Sequence, residues 1–330
     1  MQPHADPVFI VGMNGSGTTM LADCFDNSDE IYVFPRETRM VSMFVQDEPK
    51  YGDLTRDSNF QKLVDDVTSA TVFKQFLGTD VISMTDIEDR TAASVIDCVY
   101  RKLASREGKV RWMEKSPMNA QFLPLLAAAF PTARFVHIIR DGRDVAQSNE
   151  RRWHKNPVWS AYRWKHVVTT AMQEGRKLGP DRYHEVRYED FTAEPEKKMR
   201  ELCEFLGLTF DDTLLRSSMP FLYTGEERGS RKNKTGTIVN TGHKWKAYFT
   251  ANQVEAIEDV IGGLLDELGY GATVSHGDTD PSSMRLLYWQ TTDTIHLFGL
   301  VRRKHGLLGG RVNLFRRARD WYQYRSILRY

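Results

Sequence analysis

The stretch VFIVGMNGSGTTMLADCF, residues 8–25, decides which fold this chain can adopt. It opens with a short apolar run that ends in Gly12, a pattern typical of a strand buried on both faces. A glycine-rich turn follows, and from Thr18 onwards the apolar residues recur at helical spacing. Strand, glycine-rich turn and helix in this order predict an anion cradle, because glycine lets the backbone approach closely and a helix start presents N–H groups.

Further along the chain, short apolar runs alternate with helical segments. We expect strands over 31–34, 110–117, 134–140 and 183–190. We expect helices over 58–77, 86–106, 119–130, 159–178, 194–208 and 250–268, and one that opens at 141. This alternation predicts an α/β fold with a central, mostly parallel sheet, a P-loop-like strand–turn–helix and flanking helices, plus a helical C-terminal extension.

The composition excludes several classes of protein. The chain has 330 residues, of which 41% are hydrophobic and 27% are charged, and its net charge of +1 gives no reason to expect nucleic-acid binding. Three cysteines (Cys24, Cys98 and Cys203) show no metal-ligand spacing and suit a reducing compartment. No signal peptide and no long apolar span is evident, so we expect a cytoplasmic protein, with membrane association left open.

The charge is distributed unevenly, which suggests a division near residue 270. We expect a catalytic domain over 1–270 and a linker with a basic amphipathic extension over 271–330. Residues 281–330 hold ten Arg or Lys and two acids. Either the apolar residues of this tail pack on the domain, or the tail contacts an anionic membrane surface peripherally. The sequence indicates no oligomeric state.

The first candidate site is the turn itself, Asn14, Gly15, Ser16, Gly17, Thr18 and Thr19. Its glycines and hydroxyls suit a phosphate, although a purely structural turn is the alternative. A nucleotide-triphosphatase loop needs Lys after the last glycine to reach the β and γ phosphates. Thr18 stands at that position, which argues against that class.

The second candidate site follows the strand over 134–140. Arg140 ends this strand, and ligands of open α/β sheets bind outside strand carboxyl ends. Ser148 and Arg152 lie on the next helix and are able to face the same anion. The alternative is a solvated basic helix face. Two anion sites on one sheet favour a nucleotide with separated phosphates.

These stretches together resemble the PAPS-dependent sulfotransferases, where PAPS is 3′-phosphoadenosine-5′-phosphosulfate. VGMNGSGTTML (11–21) resembles their 5′-phosphosulfate loop, and FVHIIRDGRDVAQS (135–148) resembles their 3′-phosphate motif. The matching order continues through 110–135, 186–208 and GHKWKAY (242–248). The resemblance is greatest to the branch that contains tyrosylprotein sulfotransferases and bacterial sulfotransferases of unassigned substrate.

The resemblance implies transfer of a sulfuryl group from PAPS to a hydroxyl of an unidentified acceptor, with adenosine 3′,5′-bisphosphate (PAP) as product and no metal. In the Glu-Thr-Arg segment over 37–39, Glu37 matches the catalytic base. Lys115 matches a catalytic lysine. The nucleotide ligands implied after the loop are Arg140, Ser148 and Arg152 for the 3′ phosphate, Tyr188 near adenosine, and Ser230 and Lys234 in a late polar loop.

One position departs from the family pattern. The family usually carries Arg or Lys where this chain has Gly15. A replacement charge is expected from Lys115, Lys234 or Lys244. The departure keeps two alternatives open, a P-loop kinase for a small molecule and a nucleotide-binding protein without catalytic activity.

Four other residues have ordinary structural interpretations. Glu114 is expected to be an ion-pair partner of the adjacent Lys115, and His137 a core histidine. His243 is expected to be solvated, although a contact with donor or acceptor is an alternative. For Trp245, core packing and stacking on a purine both stay open.

Overall fold

The computed structural model describes residues 6–38, 40–216, 238, 242–273, 281–282, 284–286, 288–289 and 291. These residues form two compact units, one drawn from 1–141 and 164–243 and the other from 142–163 and 244–330. The division expected near residue 270 stays a prediction. In the described part of the chain, no helix has the length and apolar character needed to cross a bilayer.

The first unit is built on a sheet whose described strands are all parallel, which confirms the predicted fold class. The strands are β1 (Val8–Gly12), β2 (Ile31–Val33), β3 (Arg111–Lys115), β4 (Arg134–Ile139) and β5 (Tyr183–Arg187). Their order across the sheet is β2-β3-β1-β4-β5. Because β1 lies between β3 and β4, the chain changes direction across the sheet at β1. Ligands of such sheets bind at this kind of switch point.

Helices connect the parallel strands, as this topology requires, and further helices follow β5. They are α1 (Thr18–Phe25), α2 (Val41–Asp47), α3 (Asp57–Ser69), α4 (Thr71–Leu77), α5 (Ala92–Arg106), α6 (Leu123–Ala129), α7 (Gly142–Trp153), α8 (Pro157–Arg176), α9 (Tyr188–Ala193), α10 (Pro195–Leu206), α11 (Trp245–Tyr248) and α12 (Ala251–Glu267). Short 3₁₀ turns cover Glu48–Tyr51, Met84–Asp86, Pro117–Phe122 and Asp212–Leu215.

Strands β1 and β4 are buried on both faces, which explains why they are almost continuously apolar. Val8 and Ile10 belong to an apolar core that also includes residues of α1 and α10. Phe9 points to the opposite face, where its ring stacks on Phe135 at 5.4 Å and meets Trp112 edge-on at 5.5 Å. Successive residues of β1 therefore supply two different cores.

The helix predicted over 58–77 is in fact two helices. Ala70 separates α3 from α4 with a non-helical backbone conformation, at φ −55° and ψ 129°. Just before it, the hydroxyl of Thr68 donates to the carbonyl of Val64 at 2.8 Å. Short hydroxyl side chains compete for backbone groups and weaken helices, so the run Thr68–Ser69 before Ala70 accounts for the break.

Other predicted boundaries were wrong as well, among them the start of one helix and the end of one strand. The helix predicted to begin at 86 begins at Ala92, because Thr91 caps it by accepting a 3.1 Å hydrogen bond from the Ser94 N–H. The strand predicted to reach 190 ends at Arg187, and α9 begins at Tyr188. The acids in the first turn of α9 suit a helix start, because they face the positive end of the helix dipole.

Gly12 is required by the close approach of β1 and β4. A Cβ at this position would lie 2.5 Å from the carbonyl oxygen of Ile138, its partner in the sheet. The backbone of β4 cannot move away from this added atom as a flexible side chain could. The last residue of β1 must therefore be glycine for the loop that follows to leave the sheet here.

We expect Gly12→Ala to destabilise the fold through this backbone clash, by about 3 kcal/mol. Gly78→Ala is the matched control, because Gly78 has φ +63° with no atom within 4 Å of the added Cβ. It should cost only the conformational strain, about 1 kcal/mol. Urea denaturation followed by circular dichroism measures the free energy of unfolding of both variants. Equal losses of stability would contradict the backbone clash at Gly12.

Candidate active site

The loop between β1 and α1 has the backbone conformation of an anion cradle. Gly15 and Gly17 adopt φ of +99° and +101°, a region that favours glycine. The N–H of Ser16 donates to the carbonyl of Met13 at 2.9 Å and closes the turn. Helix α1 starts at Thr18, so its first N–H groups, which lack partners within the helix, lie at the switch point of the sheet.

Lys115 and Glu37 come together at this loop. Lys115 ends β3, and its ammonium nitrogen lies 3.2 Å from the Thr19 hydroxyl and 3.2 Å from Glu37 Oε1. The Lys115 side chain is 5% exposed and that of Glu37 is 24% exposed. One cation therefore joins the cradle to a carboxylate that remains partly open to solvent.

Arg140 reaches the loop from the end of β4. Its guanidinium donates to the carbonyl of Gly15 at 3.1 Å and lies 4.2 Å from the centre of the Tyr188 ring. The same ring packs on Gly17, where a Cβ would lie 2.6 Å from Tyr188 Cδ2. Tyr188 is buried, and it joins the ends of β4 and β5 to the loop.

Glu114 has partners that the sequence analysis missed. It does not form the expected ion pair with Lys115, because the two residues point to opposite faces of β3. Its buried carboxylate accepts hydrogen bonds from the Thr38 hydroxyl at 2.9 Å, from the Ser116 hydroxyl, and from the Asn119 amide at 2.8 Å. The only signal in the sequence was an acid inside a buried strand.

Burial is the main influence on the charge state of Glu114. It raises the pKa of this carboxyl from 4.5 to about 7. The hydrogen bonds from Ser116 and Thr38 and the charge of Lys115 oppose this shift, whereas the negative charge of Glu37 adds to it. Near neutral pH the carboxylate is therefore close to its titration midpoint.

The second unit contains the other two predicted phosphate ligands. Ser148 and Arg152 lie on α7, where Ser148 is buried and Arg152 is half-buried. This helix is anchored within the unit by a buried ion pair, in which Arg143 donates to Glu258 Oε1 of α12 at 2.6 Å. The two side chains are 2% and 0% exposed.

Trp245 packs on the arginine of the same ion pair. The Arg143 guanidinium is 4.1 Å from the centre of the Trp245 ring, and the backbone N–H of Trp245 donates to Asp144 Oδ1 at 3.1 Å. The buried indole fits the core-packing alternative. Its neighbour His243 is exposed, as expected, and has φ +60°.

The remaining sequence predictions have three different outcomes. His137 is a core histidine as expected, fully buried with Nδ1 2.6 Å from the Tyr183 hydroxyl, and burial lowers its pKa to about 3. Arg39, Ser230 and Lys234 lie outside the described residues, as does most of the basic tail. Lys244, a candidate for the missing charge at Gly15, is exposed and belongs to the second unit.

Comparison with known proteins identifies the family. A model described as the Sulfotransferase family matches residues 7–212, well over half of the chain. The chain belongs to the sulfotransferase family. The resemblance of the loop, β3 and β4 segments is thereby confirmed at the level of the family.

Curated relatives of this sulfotransferase-family chain include proteins with different acceptors in their names. A protein-tyrosine sulfotransferase of Drosophila melanogaster is 23% identical over 80% of this chain and 51% of its own length. The omega-hydroxy-beta-dihydromenaquinone-9 sulfotransferase of Mycobacterium tuberculosis is 34% identical over 47% of this chain and 40% of its own length. The chain thus spans about half, or less, of the length of these relatives.

Among solved structures, the sulfotransferase domain of the Synechococcus PCC 7002 olefin synthase is similar to this chain. The identity is 21% and the TM-score is 0.48, with 78% of this chain and 95% of that domain covered.

We expect Glu114→Gln to change how stability depends on pH. Between pH 4.5 and about 7 the folded chain holds a proton on Glu114 that the unfolded chain has lost, so wild-type stability falls as pH rises through this window. The stability difference between wild type and variant should change by roughly 3 kcal/mol. Urea denaturation at pH 4.5 and pH 8 measures it, and subtracting the two proteins cancels all other titrating groups. If the free energies of unfolding of wild type and Glu114→Gln changed equally with pH, the raised pKa of Glu114 would be contradicted.

Proposed function

We propose that this chain transfers a sulfuryl group from PAPS to a hydroxyl of an acceptor, with release of PAP. The contact that carries the proposal is the position of the Lys115 ammonium, 3.2 Å from both the Thr19 hydroxyl and Glu37. Sulfuryl transfer needs a cation beside the anionic group and a base beside the attacking hydroxyl. Lys115 and Glu37 are suited to these two tasks and meet at the loop.

In this proposal the loop from Asn14 to Thr19 binds the 5′ phosphate. The left-handed Gly15 and Gly17 open the turn, and the start of α1 directs N–H groups towards an anion. Glycine at position 15 offers no side-chain charge. Lys115 is the described cation whose ammonium contacts a loop hydroxyl, so it is our candidate for the replacement.

The 3′ phosphate and the adenosine have a less complete set of described ligands. Arg140 lies against the loop and the Tyr188 ring, which supports a place for both near the nucleotide. Ser148 and Arg152 belong to the second unit, and Ser230 and Lys234 lie outside the described residues. Their roles as 3′-phosphate ligands stay predictions from the family resemblance.

The mechanism that follows divides the work between two side chains. Glu37 accepts the proton of the acceptor hydroxyl while the hydroxyl oxygen bonds to sulfur. As the bond between sulfur and the 5′-phosphate oxygen breaks, Lys115 stabilises the negative charge that develops on that oxygen and on the sulfuryl group. Positioning and electrostatics supply most of the catalysis, as in phosphoryl transfer. That no metal takes part stays a prediction.

The acceptor is proposed only as a class, a molecule with a hydroxyl group. The names of the curated relatives include a protein tyrosine and a hydroxylated menaquinone, so those relatives differ in acceptor. The proposal therefore includes aromatic, aliphatic and sugar hydroxyls. The relatives do not favour one of them for this chain.

Calorimetry and a transfer assay test the proposal together. PAP and PAPS should bind more tightly than ATP, and radiolabelled PAPS should label an acceptor in a panel of tyrosine peptides, hydroxylated quinols and sugars. Binding of ATP without binding of PAP would favour a kinase. Binding of PAP without transfer to any member of the panel, and without release of sulfate, would favour a nucleotide-binding protein that lacks activity.

We expect Glu37→Gln to slow sulfuryl transfer by about 10²–10⁴-fold, because the glutamine side chain cannot accept the proton. The affinity for PAP should not change, since Glu37 does not lie in the nucleotide loop. Glu174→Gln is the control, because Glu174 pairs with Lys177 on the surface. Turnover of Glu37→Gln within a few-fold of wild type would remove Glu37 from the role of base.

A further inference from the structure

Glu114 is a buried acid that the proposed mechanism does not use. Its side chain is 0% exposed, and its carboxylate accepts hydrogen bonds from Thr38, Ser116 and Asn119. Burying an ionisable group is costly, and apolar residues of similar volume often give equal or greater stability. The presence of the acid in a strand that is otherwise a core element therefore calls for a reason other than stability.

The geometry of its hydrogen bonds supplies that reason. Glu37 and Thr38 are consecutive, and so are Glu114 and Lys115. Glu37 contacts Lys115 and Thr38 contacts Glu114, so two successive residues of one segment are attached to two successive residues of β3. Side chains alternate along a strand, so the two attachments lie on opposite faces of the sheet. A segment held on both sides in this way has little freedom to rotate about its axis.

We infer that Glu114 is a positioning residue that acts through the Thr38 hydroxyl to fix the backbone that carries Glu37. The inference rests on the proposed function, in which the Glu37 carboxylate must meet the acceptor hydroxyl. Lys115 alone cannot fix the direction of that carboxylate, because in the mechanism its ammonium also serves the sulfuryl group. The Thr38–Glu114 hydrogen bond is independent of both reactants and holds the segment throughout the reaction.

The arrangement of donors shows which bond to test. Thr38 and Ser116 both donate to Glu114 Oε1, whereas Asn119 donates to Oε2. Ser116 and Asn119 lie in the connection that follows β3, so they are able to hold Glu114 without affecting residue 37. The Thr38 hydroxyl is the one that links the acid to the base. It is buried, with the side chain 5% exposed, so an isosteric change there adds no new contact with solvent.

Thr38→Val and Thr38→Ser test the inference as a matched pair. Valine keeps the volume and removes the hydroxyl, whereas serine keeps the hydroxyl and removes a methyl group. Thr38→Val should lower kcat for sulfuryl transfer by up to about 100-fold, because a misplacement of about 1 Å of a reacting group costs that much. Thr38→Ser should stay within a few-fold of wild type. Calorimetric Kd for PAP should be unchanged in both variants.

Three outcomes would overturn the inference. The first is a Thr38→Val enzyme with wild-type kcat. The second is an equal loss in Thr38→Val and Thr38→Ser, which would point to packing of the methyl group. The third is a loss of PAP affinity in step with kcat, which would indicate general damage to the fold.

The inference remains testable if wild-type protein transfers no sulfuryl group and the proposed function fails. Crystal structures of Thr38→Val and Thr38→Ser with PAP would then provide the readout. A Glu37 carboxylate displaced from Lys115 in the valine variant alone would support positioning through Thr38. An unmoved Glu37 in the valine variant would overturn it, whatever the activity of the protein.

Discussion

Two adjacent ionisable side chains at the end of β3, Glu114 and Lys115, are the constraint around which the site is arranged. A strand buried on both faces gives charged side chains no access to water, so each charge needs a partner within the protein. The segment 37–38 provides one partner on each face, through Glu37 and Thr38. These two side chains therefore attach the segment 37–38, which belongs to neither a helix nor a strand, to a buried strand next to the anion-binding loop.

The loop depends on a second constraint, the lack of space between strand ends. The carbonyl of Ile138 leaves no space for a side chain at Gly12, and the Tyr188 ring leaves none at Gly17. Arg140 also packs on that ring and donates to the carbonyl of Gly15. The backbone conformation of the glycines, the packing of Tyr188 and the charge of Arg140 thus all act on the loop between β1 and α1. Changes in β4 or β5 are expected to reach the loop without direct contact with a ligand.

The sequence predicted most of the sheet, because buried parallel strands are short apolar runs between turns. Helix boundaries were less accurate where short polar residues form local hydrogen bonds, as at Thr68, and where a cap such as Thr91 moves the start. Lys115 and Glu37 were predicted from the family pattern, and the structure adds the contact between them. The role of Glu114 as an acceptor was not predictable, since its partner Thr38 is far away in sequence and forms no recognisable pattern with it.

The central position of β1 also has a consequence for how the protein is made. Val8 pairs with Met113 on one side and with Arg134 on the other, so β1 has no neighbour until β3 has left the ribosome, and it gains the second only when β4 follows. Long-range pairing of this kind slows folding and leaves apolar chain exposed during synthesis. The segment Val8–Val11 is thus an apolar stretch that lacks its partners early in synthesis, although in the finished protein its side chains are fully buried.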